Sequence, residues 1–537
     1  MSKKQTDEFK KTSSESFLSS FFNLRERNSS IILEFISGLT VGFIVLFTLI
    51  TGSNFLSNAI GADQPLFFSI LLLIGLVVSG VFSIVGGFYT RLPVVFSSSL
   101  GFTSFLTLSL ISVLSLGWNV ALAFFVIESI VFIIIAFTSV GKWIINEMPS
   151  FMNLAAPLAF GGILIFFSLL GGKFISFKGD SQIVSFTLRN PETFVFVVGI
   201  IITFILHKVG ARGSLLYGMA ITTLLGMFLP KVSGLNLRQA AFILAGIIVG
   251  WLLLYAFLVD AKKKYAIELS LGVVIIAMIV ILIFFKHPDA IIVPPSKLTG
   301  TDGIFALPNF KNVPLVLSKP ILSLGDAFAK FGQLFIPLIS LLFTHIIMMI
   351  ALIKSIWLFF DEEQVFSTKE KDVLSRRLLV SEGTGALVSG GFGSSPVSSS
   401  FGTLISLVSG GKTGLTSVFS GIVMILSMFI IPLGSKIFTP YTVAPALFVV
   451  GLTLITKSIQ LQNADLKDNI IPLLTTGIIS AFTMNIFQGI AVGLLFYVII
   501  KLLHGKYSEI NAFTWILLIL FIIISFYRIN IPFLSLG

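Results

Sequence analysis

Hydroxyl groups beside broken backbone, one histidine and one glutamate are the residues of this sequence with the most chemistry to offer. The pattern Gly86-Gly87-Phe88, Pro93-Val94, Ser97-Ser98-Ser99-Leu100-Gly101 returns later as Gly390-Gly391-Phe392, Pro396-Val397, Ser398-Ser399-Ser400-Phe401-Gly402. Proline donates no backbone hydrogen bond and turns the residue before it away from helix, so each copy predicts a short extended stretch between apolar segments. Inside a bilayer such backbone is tolerated only where it is buried in protein or lines a cavity. Serines there can hydrogen-bond a polar ligand and let backbones approach closely. A broken element carried in both halves of a membrane chain marks the substrate site of a transporter built from internal repeats. Ser97, Ser98, Ser99, Phe102 and Thr103 in the first copy are candidate substrate contacts, as are Ser394, Ser395, Ser398, Ser399, Ser400, Phe401 and Gly402 in the second. The blander account is helix packing by small residues.

Glu128 and His345 fall deep inside predicted spans, where an ionisable group is costly and usually functional. A neutral imidazole both donates and accepts, and it titrates near physiological pH. His345, with Thr344 and Met348 beside it, is a candidate pocket residue, and His345 and Glu128 are candidate proton-coupling groups. The plainer alternative for Glu128 is a structural carboxylate bonded to a neighbouring helix. Two other motifs fail. Gly410-Gly411-Lys412-Thr413 resembles the end of a phosphate-binding loop, but Ser406 stands where the leading glycine is required. A membrane-embedded serine hydrolase would pair a serine of 394–400 with His345, yet no G-x-S-x-G stands there. The sequence has no cysteine, which excludes disulfides, thiolate metal sites and cysteine nucleophiles. No metal and no cofactor is expected.

The elements that hold these residues are apolar helices. Hydrophobic residues make up 55% of the 537 and charged residues 11%. A soluble domain has about 25% charged residues, so this is an integral membrane protein. The polar first thirty residues do not read as a cleaved signal peptide. Stretches long enough to span fall into a group of seven, an added two-helix hairpin (Gln239–Val259 and Ala266–Phe285), and a second group of seven. The hairpin preserves parity, so the second group enters with inverted orientation, as inverted repeats require. Ala156-Pro157-Leu158 matches Ala444-Pro445-Ala446 across the halves. With the first residues inside, most Lys and Arg lie on the cytoplasmic side, including the Lys262-Lys263-Lys264 run, so the net charge of +11 reads as topology rather than nucleic-acid binding.

At this point several motifs resemble those of the xanthine/uracil permease family, in particular its guanine/hypoxanthine permease branch. Glu34-Phe35-Ile36-Ser37-Gly38-Leu39-Thr40 is similar to the family's E-x-x-A-G-L-T, and Trp143-Ile144-Ile145-Asn146-Glu147-Met148-Pro149 to its K-I-I-N-A-I-P. The segment from Gly393 to Ser399, with Gly410-Gly411-Lys412-Thr413-Gly414-Leu415, resembles G-T-S-T-V-T-T-Y-I-E-S and G-G-R-T-G-L. The resemblance implies an all-α polytopic fold with fourteen core helices in two inverted sevens and short extended stretches in helices 3 and 10. Helices 1–4 and 8–11 would form a core domain, and helices 5–7 and 12–14 a gate domain. On this chain the boundaries are a tail at 1–30, core at 31–140, gate at 152–229, the hairpin at 239–285, and an extracytoplasmic loop and lead-in at 286–333. The second core half is 334–434, the second gate half 437–503, and an apolar C-terminal helix covers 512–526. The chain departs from the family at the binding positions: the helix-8 Asp falls on His345, the helix-10 Tyr and Glu on Ser400 and Gly402, and the helix-3 Asn on Thr103.

The expected function is secondary active transport by alternating access. The expected cargo is a nucleobase such as a purine, or a related small heterocycle, with proton coupling as an option. The alternative is a small-anion transporter of the same fold, since half-helix N-termini attract negative charge; the hydrolase remains a distant third, and no enzyme activity is expected. The expected setting is the bacterial inner (cytoplasmic) membrane, multi-pass, N-terminus cytoplasmic. The partners are a small-molecule substrate and the lipid bilayer, a homodimer is allowed, and nucleic acid is excluded.

Overall fold

The computed structural model describes residues 17–61, 63–149, 151–178, 182–184, 190–229, 246, 250–251, 255, 266–284, 291–292, 297–299, 303–305, 307–361, 366–431, 437, 439–460 and 466–526. The predicted span Gln239–Val259 lies outside the described residues, apart from positions 246, 250, 251 and 255. The first repeat comprises α1 (Ile31–Ile60), α2 (Gln64–Thr90), strand β1 (Ser97–Ser98), α3 (Leu100–Ser104), α4 (Trp118–Phe137), α5 (Met152–Gly171), α6 (Pro191–Lys208) and α7 (Ser214–Phe228). The second comprises α8 (Phe331–Asp361), α9 (Thr368–Phe392), strand β2 (Val397–Ser398), α10 (Ser400–Val408), α11 (Gly414–Ser427), α12 (Pro440–Gln460), α13 (Leu466–Thr483) and α14 (Ile486–Leu503). Among the described residues, eight helices are long and apolar enough to cross a membrane: α1, α2, α4, α5, α6, α8, α12 and α14.

Local sequence sets the ends of these helices. Ser30 caps α1, its hydroxyl accepting from Leu33 N–H. Ser367 and Glu370 form a reciprocal capping box at the start of α9, which satisfies two otherwise orphan donors. Pro93 and Pro396 each force the chain out of helix, and the two extended stretches find each other. β1 and β2 pair antiparallel, Ser97 opposite Ser398 and Ser98 opposite Val397. α10 has only 9 residues, about 14 Å of helix at ~1.5 Å per residue, half of a hydrocarbon core of ~30 Å. α3 continues as a π-helical segment, Phe105–Val113. Two half-helices therefore start from a shared β-bridge at membrane depth.

The inverted repeat is visible in the packing. α2 packs on α11, and its mate α9 packs on α4; α6 packs on α12, and its mate α13 on α5; α6 pairs with α7 as α13 pairs with α14. α5 and α12 meet each other at the axis of this exchange. A Cβ on Gly161 would sit 2.7 Å from Gly451 O, and one on Gly451 2.6 Å from Gly161 O, so only glycine lets these helices touch. Seven residues either side, Ser168 Oγ donates to Ala444 O at 2.6 Å and Ser458 Oγ to Leu154 O at 2.7 Å. The same bond is made twice, once from each repeat.

Two of the quoted motifs meet at the face that carries the N-terminal segment. The Glu34 carboxylate accepts from the backbone N–H groups of Lys412, Thr413 and Thr416, each at 3.2 Å, and from the Thr416 hydroxyl. It thereby holds the N-terminus of α11, where a negative charge is favoured. The described part of the insertion, Ala266–Phe284, packs on α7, with Ser270 Oγ accepting from Trp251 Nε1 at 3.0 Å.

Candidate functional site

The β-bridge consumes most of the serines. An extended backbone at membrane depth must satisfy its own N–H and C=O groups. Ser99 N–H donates to Pro396 O at 2.8 Å, Val95 N–H to Thr403 Oγ1 at 3.1 Å, Phe96 N–H to Ser83 Oγ at 2.9 Å and Val397 N–H to Ser389 Oγ at 3.1 Å. Ser98 Oγ meets Ser395 Oγ at 3.0 Å, and Ser398 Oγ meets Ser400 Oγ at 2.9 Å. Ser394 Oγ bonds Ser395 O, Thr103 Oγ1 bonds Ser99 O, and Ser97 Oγ reaches Ser398 O at 3.5 Å. Gly402 lies against the carbonyl of Val95, too close for any side chain.

A cavity of about 300 Å³ opens beside this crossing, between the core and gate helices. That is the low end of small-molecule sites, which run roughly 300–1,000 Å³. Ser99, Phe102, Thr344, Met348 and Phe401 line it, as the sequence predicts. The other predicted contacts, Ser97, Ser98, Thr103, His345, Ser394, Ser395, Ser398, Ser399, Ser400 and Gly402, do not line it. The remaining wall includes Gly101, Phe105, Ser340 and Leu341 from the core. From the gate come Ile163, Ile479, Met484, Asn485, Ile486, Phe487, Gln488 and Val492, and Phe521 comes from the C-terminal helix Ala512–Phe526. Among the described residues no charged side chain lines the cavity. Its polar groups are hydroxyls and two amides, set among the rings of Phe102, Phe105, Phe401, Phe487 and Phe521. Asn485 Oδ1 caps α14 by accepting from Phe487 N–H at 2.9 Å, which fixes the side chain and leaves its NH₂ pointing away from the cap.

Behind Phe102 lies a buried ionisable triad. His345 Nδ1 is 3.0 Å from Glu128 Oε1, and His345 Nε2 is 3.5 Å from Glu382 Oε1; all three side chains are fully buried. The second contact is within ion-pair reach but is not a hydrogen bond, and His345 Nε2, Glu382 Oε1 and Glu128 Oε2 are left without hydrogen-bond partners. The imidazole stacks on Phe132 at 3.9 Å and takes the edge of Phe102 at 4.8 Å between ring centres. Glu382 Oε2 accepts from Ser399 N–H at 2.8 Å and Ser399 Oγ at 2.6 Å, directly before α10. Neither imidazole nitrogen bonds a serine, so the Ser–His pairing of a hydrolase is not formed here.

Two ionisable residues, Glu128 and His345, stand deep within apolar runs of the sequence, and the structure adds Glu382. The apolar run of this segment starts only at Leu378, which leaves Glu382 near its edge; the helix begins at Thr368, so Glu382 lies midway along it. Asn485 and Gln488 were also missed. Their signal is the polar break Met484-Asn485-Ile486-Phe487-Gln488 between two apolar segments.

No family model matches the chain. Curated relatives span nearly its whole length. A putative permease of Methanocaldococcus jannaschii is 22% identical over 505 residues, 94% of this chain and 97% of that protein. The guanine/hypoxanthine permease PbuO of Bacillus subtilis is 22% identical over 510 residues, 94% of this chain and 99% of its own length. The adenine permease AdeQ of Escherichia coli is 22% identical, covering 92% and 93%. Among solved structures, the transmembrane domain of a cyanobacterium bicarbonate transporter, BicA, aligns with 87% of this chain and 97% of that one at 15% identity and a TM-score of 0.40. SLC26A9 aligns with 88% of this chain and 66% of its own at 13% identity and a TM-score of 0.44. Over nearly its whole length the chain is thus similar, at about 22% identity, to permeases that include guanine/hypoxanthine and adenine permeases.

Proposed function

We propose that this protein carries a neutral purine base, or a related small heterocycle, across the bacterial inner membrane by alternating access, with its N-terminal face cytoplasmic. The observation that carries the proposal is the cavity itself, with no charged residue among its described lining, walled by aromatic rings and supplied with hydroxyls from one side and amides from the other. A planar heterocycle stacks on such rings and reads amides along its edge. Lining groups come from α3, α8 and α10 on one side and α5, α13 and α14 on the other, so a bound base would bridge the two moving bodies.

The triad is the proposed coupling element. Glu128, His345 and Glu382 together carry a charge of −1 with one proton among them and zero with two. At membrane depth the neutral count is favoured, and passing between the two counts moves one proton. Glu382 holds Ser399, and His345 stands against Phe102, so the charge state reaches the pocket through one side chain on each side. A small-anion reading is favoured by the two half-helix N-termini that meet at the cavity; the lack of a basic lining residue weighs against it.

Purified protein in liposomes, given an inward acid gradient, decides between these readings. Accumulation of radiolabelled hypoxanthine, guanine or adenine, abolished by a protonophore, is the expected result. Accumulation of bicarbonate or sulfate with no purine uptake would replace the first reading with the second.

A further inference from the structure

A second cavity, of about 350 Å³, lies at the face that carries the N-terminal segment, remote from the transport pocket. Four cationic residues from three separate stretches of chain converge on it: Arg27, Arg91, Lys369 and Arg377. Glu26 and Glu370 also line it, and both are already engaged. Glu370 takes the Ser367 hydroxyl at 2.7 Å and the Ser367 N–H at 2.8 Å in the capping box, and Glu26 accepts from Asn23 Nδ2 at 2.6 Å. Four cations against two carboxylates leave the cavity at +2.

The guanidinium groups are held in place without being neutralised. Arg27 donates to the carbonyls of Arg91 and Lys412 and stands 4.8 Å from the Phe366 ring centre. Arg91 stands 4.7 Å over Phe21, and Arg377 donates to Tyr89 O at 3.2 Å and stands 5.5 Å over the Tyr89 ring. Among the described residues no carboxylate lies within ion-pair distance of any of the four. Arg27 is only 5% exposed. Burial draws its pKa down to about 10, Glu34 opposing and Arg91 adding to the fall. A guanidinium carries five donors in a planar fork, so most of those at this cavity remain unspent. Charge bias toward one face explains how many basic residues are present. It does not explain why three guanidiniums from distant segments meet around one hollow.

We propose that this cavity binds a phosphate-bearing anion. Guanidinium forks match phosphate oxygens in pairs, and groups already fixed by ring and carbonyl contacts lose little freedom on binding. Two sources share that chemistry, the headgroup of an anionic phospholipid in the adjacent leaflet and a free nucleoside monophosphate. Either would tie together the N-terminal segment, the end of α2, the start of α9 and, through Arg27, the loop before α11. The proposal is independent of the transported substrate, so its failure leaves the transport reading standing.

The test is thermal unfolding of the purified full-length protein, followed by tryptophan fluorescence. Inorganic phosphate and GMP are titrated in neutral detergent, with sodium chloride at matched ionic strength as control. In parallel, nanodiscs of phosphatidylcholine are compared with nanodiscs containing phosphatidylglycerol. The expected result is a saturable rise in Tm with phosphate-bearing ligands beyond that with chloride. In Arg91→Gln/Arg377→Gln the apparent affinity should fall at least about tenfold, the loss expected for charged hydrogen bonds. If that variant fails to fold, Lys369→Gln, at an exposed position, should still weaken binding. A rise with GMP alone assigns a soluble nucleotide, and a rise with phosphatidylglycerol alone assigns a lipid. A rise equalled by chloride, or undiminished in both variants, overturns the proposal.

Discussion

Replacing Glu382 by glutamine removes one charge from the triad while keeping its shape, and it separates binding from coupling. In the native protein Oε2 accepts two bonds from Ser399, at 2.8 and 2.6 Å, and Oε1 faces His345 at 3.5 Å. A glutamine oxygen can accept both Ser399 bonds as a neutral group. Bonds to charged groups contribute about 1.5–3 kcal/mol and neutral ones about 1, so the substitution costs about 2 kcal/mol across the pair. That is small enough for the protein to fold. The glutamine NH₂ can donate to His345 Nε2, which has no partner in the native state. The triad then holds one carboxylate and one imidazole, and it is neutral with a single proton. Substrate affinity, measured by calorimetry on purified protein at pH 6 and 8, should stay within about tenfold of wild type and lose its pH dependence. In liposomes the variant should still exchange labelled for unlabelled base while failing to accumulate it on an acid gradient. Accumulation at the wild-type level would refute the role of Glu382 and, with it, the coupling role of the triad.

Three further outcomes are expected. His345→Ala leaves two buried carboxylates without the group between them, a loss of roughly 3–5 kcal/mol seen as lower yield and Tm; His345→Gln, which keeps one donor and one acceptor, should retain binding and lose its pH dependence, and normal pH-dependent uptake by the alanine variant would reduce His345 to packing. Asn485→Ala and Gln488→Ala should raise KM for purine uptake at normal protein levels, since both face the cavity from the gate, and an unchanged KM in both would remove the gate from substrate recognition. Gly402→Ala drives a methyl into the carbonyl of Val95 and should cost about 1–3 kcal/mol of stability by overpacking, measurable as a fall in Tm.

The repeated Pro–Ser element was legible because it obeys a strict rule: proline breaks helix wherever it falls, and two breaks inside a bilayer must satisfy each other. What those serines do was less legible. Their hydroxyls suggest a ligand, yet Ser98, Ser395, Ser398 and Ser400 are spent on one another. The extended backbone needs partners before any substrate does. Phe102 and Phe401 reach the cavity because they stand in the first turn of each half-helix. Glu382 escaped because hydropathy finds where a helix is apolar, not where it starts, and α9 opens with polar turns from Thr368. The gate amides escaped because the wall they complete is assembled from helices far apart in sequence, which no local pattern encodes.

The mirrored serine bonds around Gly161 and Gly451 have a mechanical consequence. Two halves related by such an axis reach the opposite-facing state by trading conformations, and a seam that maps onto itself is unchanged by the trade. In the proposed alternating-access cycle the α5–α12 contact would serve as a fixed pivot, and the energy difference between the two facings would come from what the halves do not share. The triad is such a difference. It joins α4, α8 and α9, whereas of their mates α11 and α2 meet through Gly421 and Gly80 with backbone against backbone, and α1 lays Gly38 and Gly42 on α11. The two sides of the seam are therefore not equivalent: one buries three ionisable groups against each other, and the other buries a single carboxylate, Glu34, spent on the backbone at the start of α11.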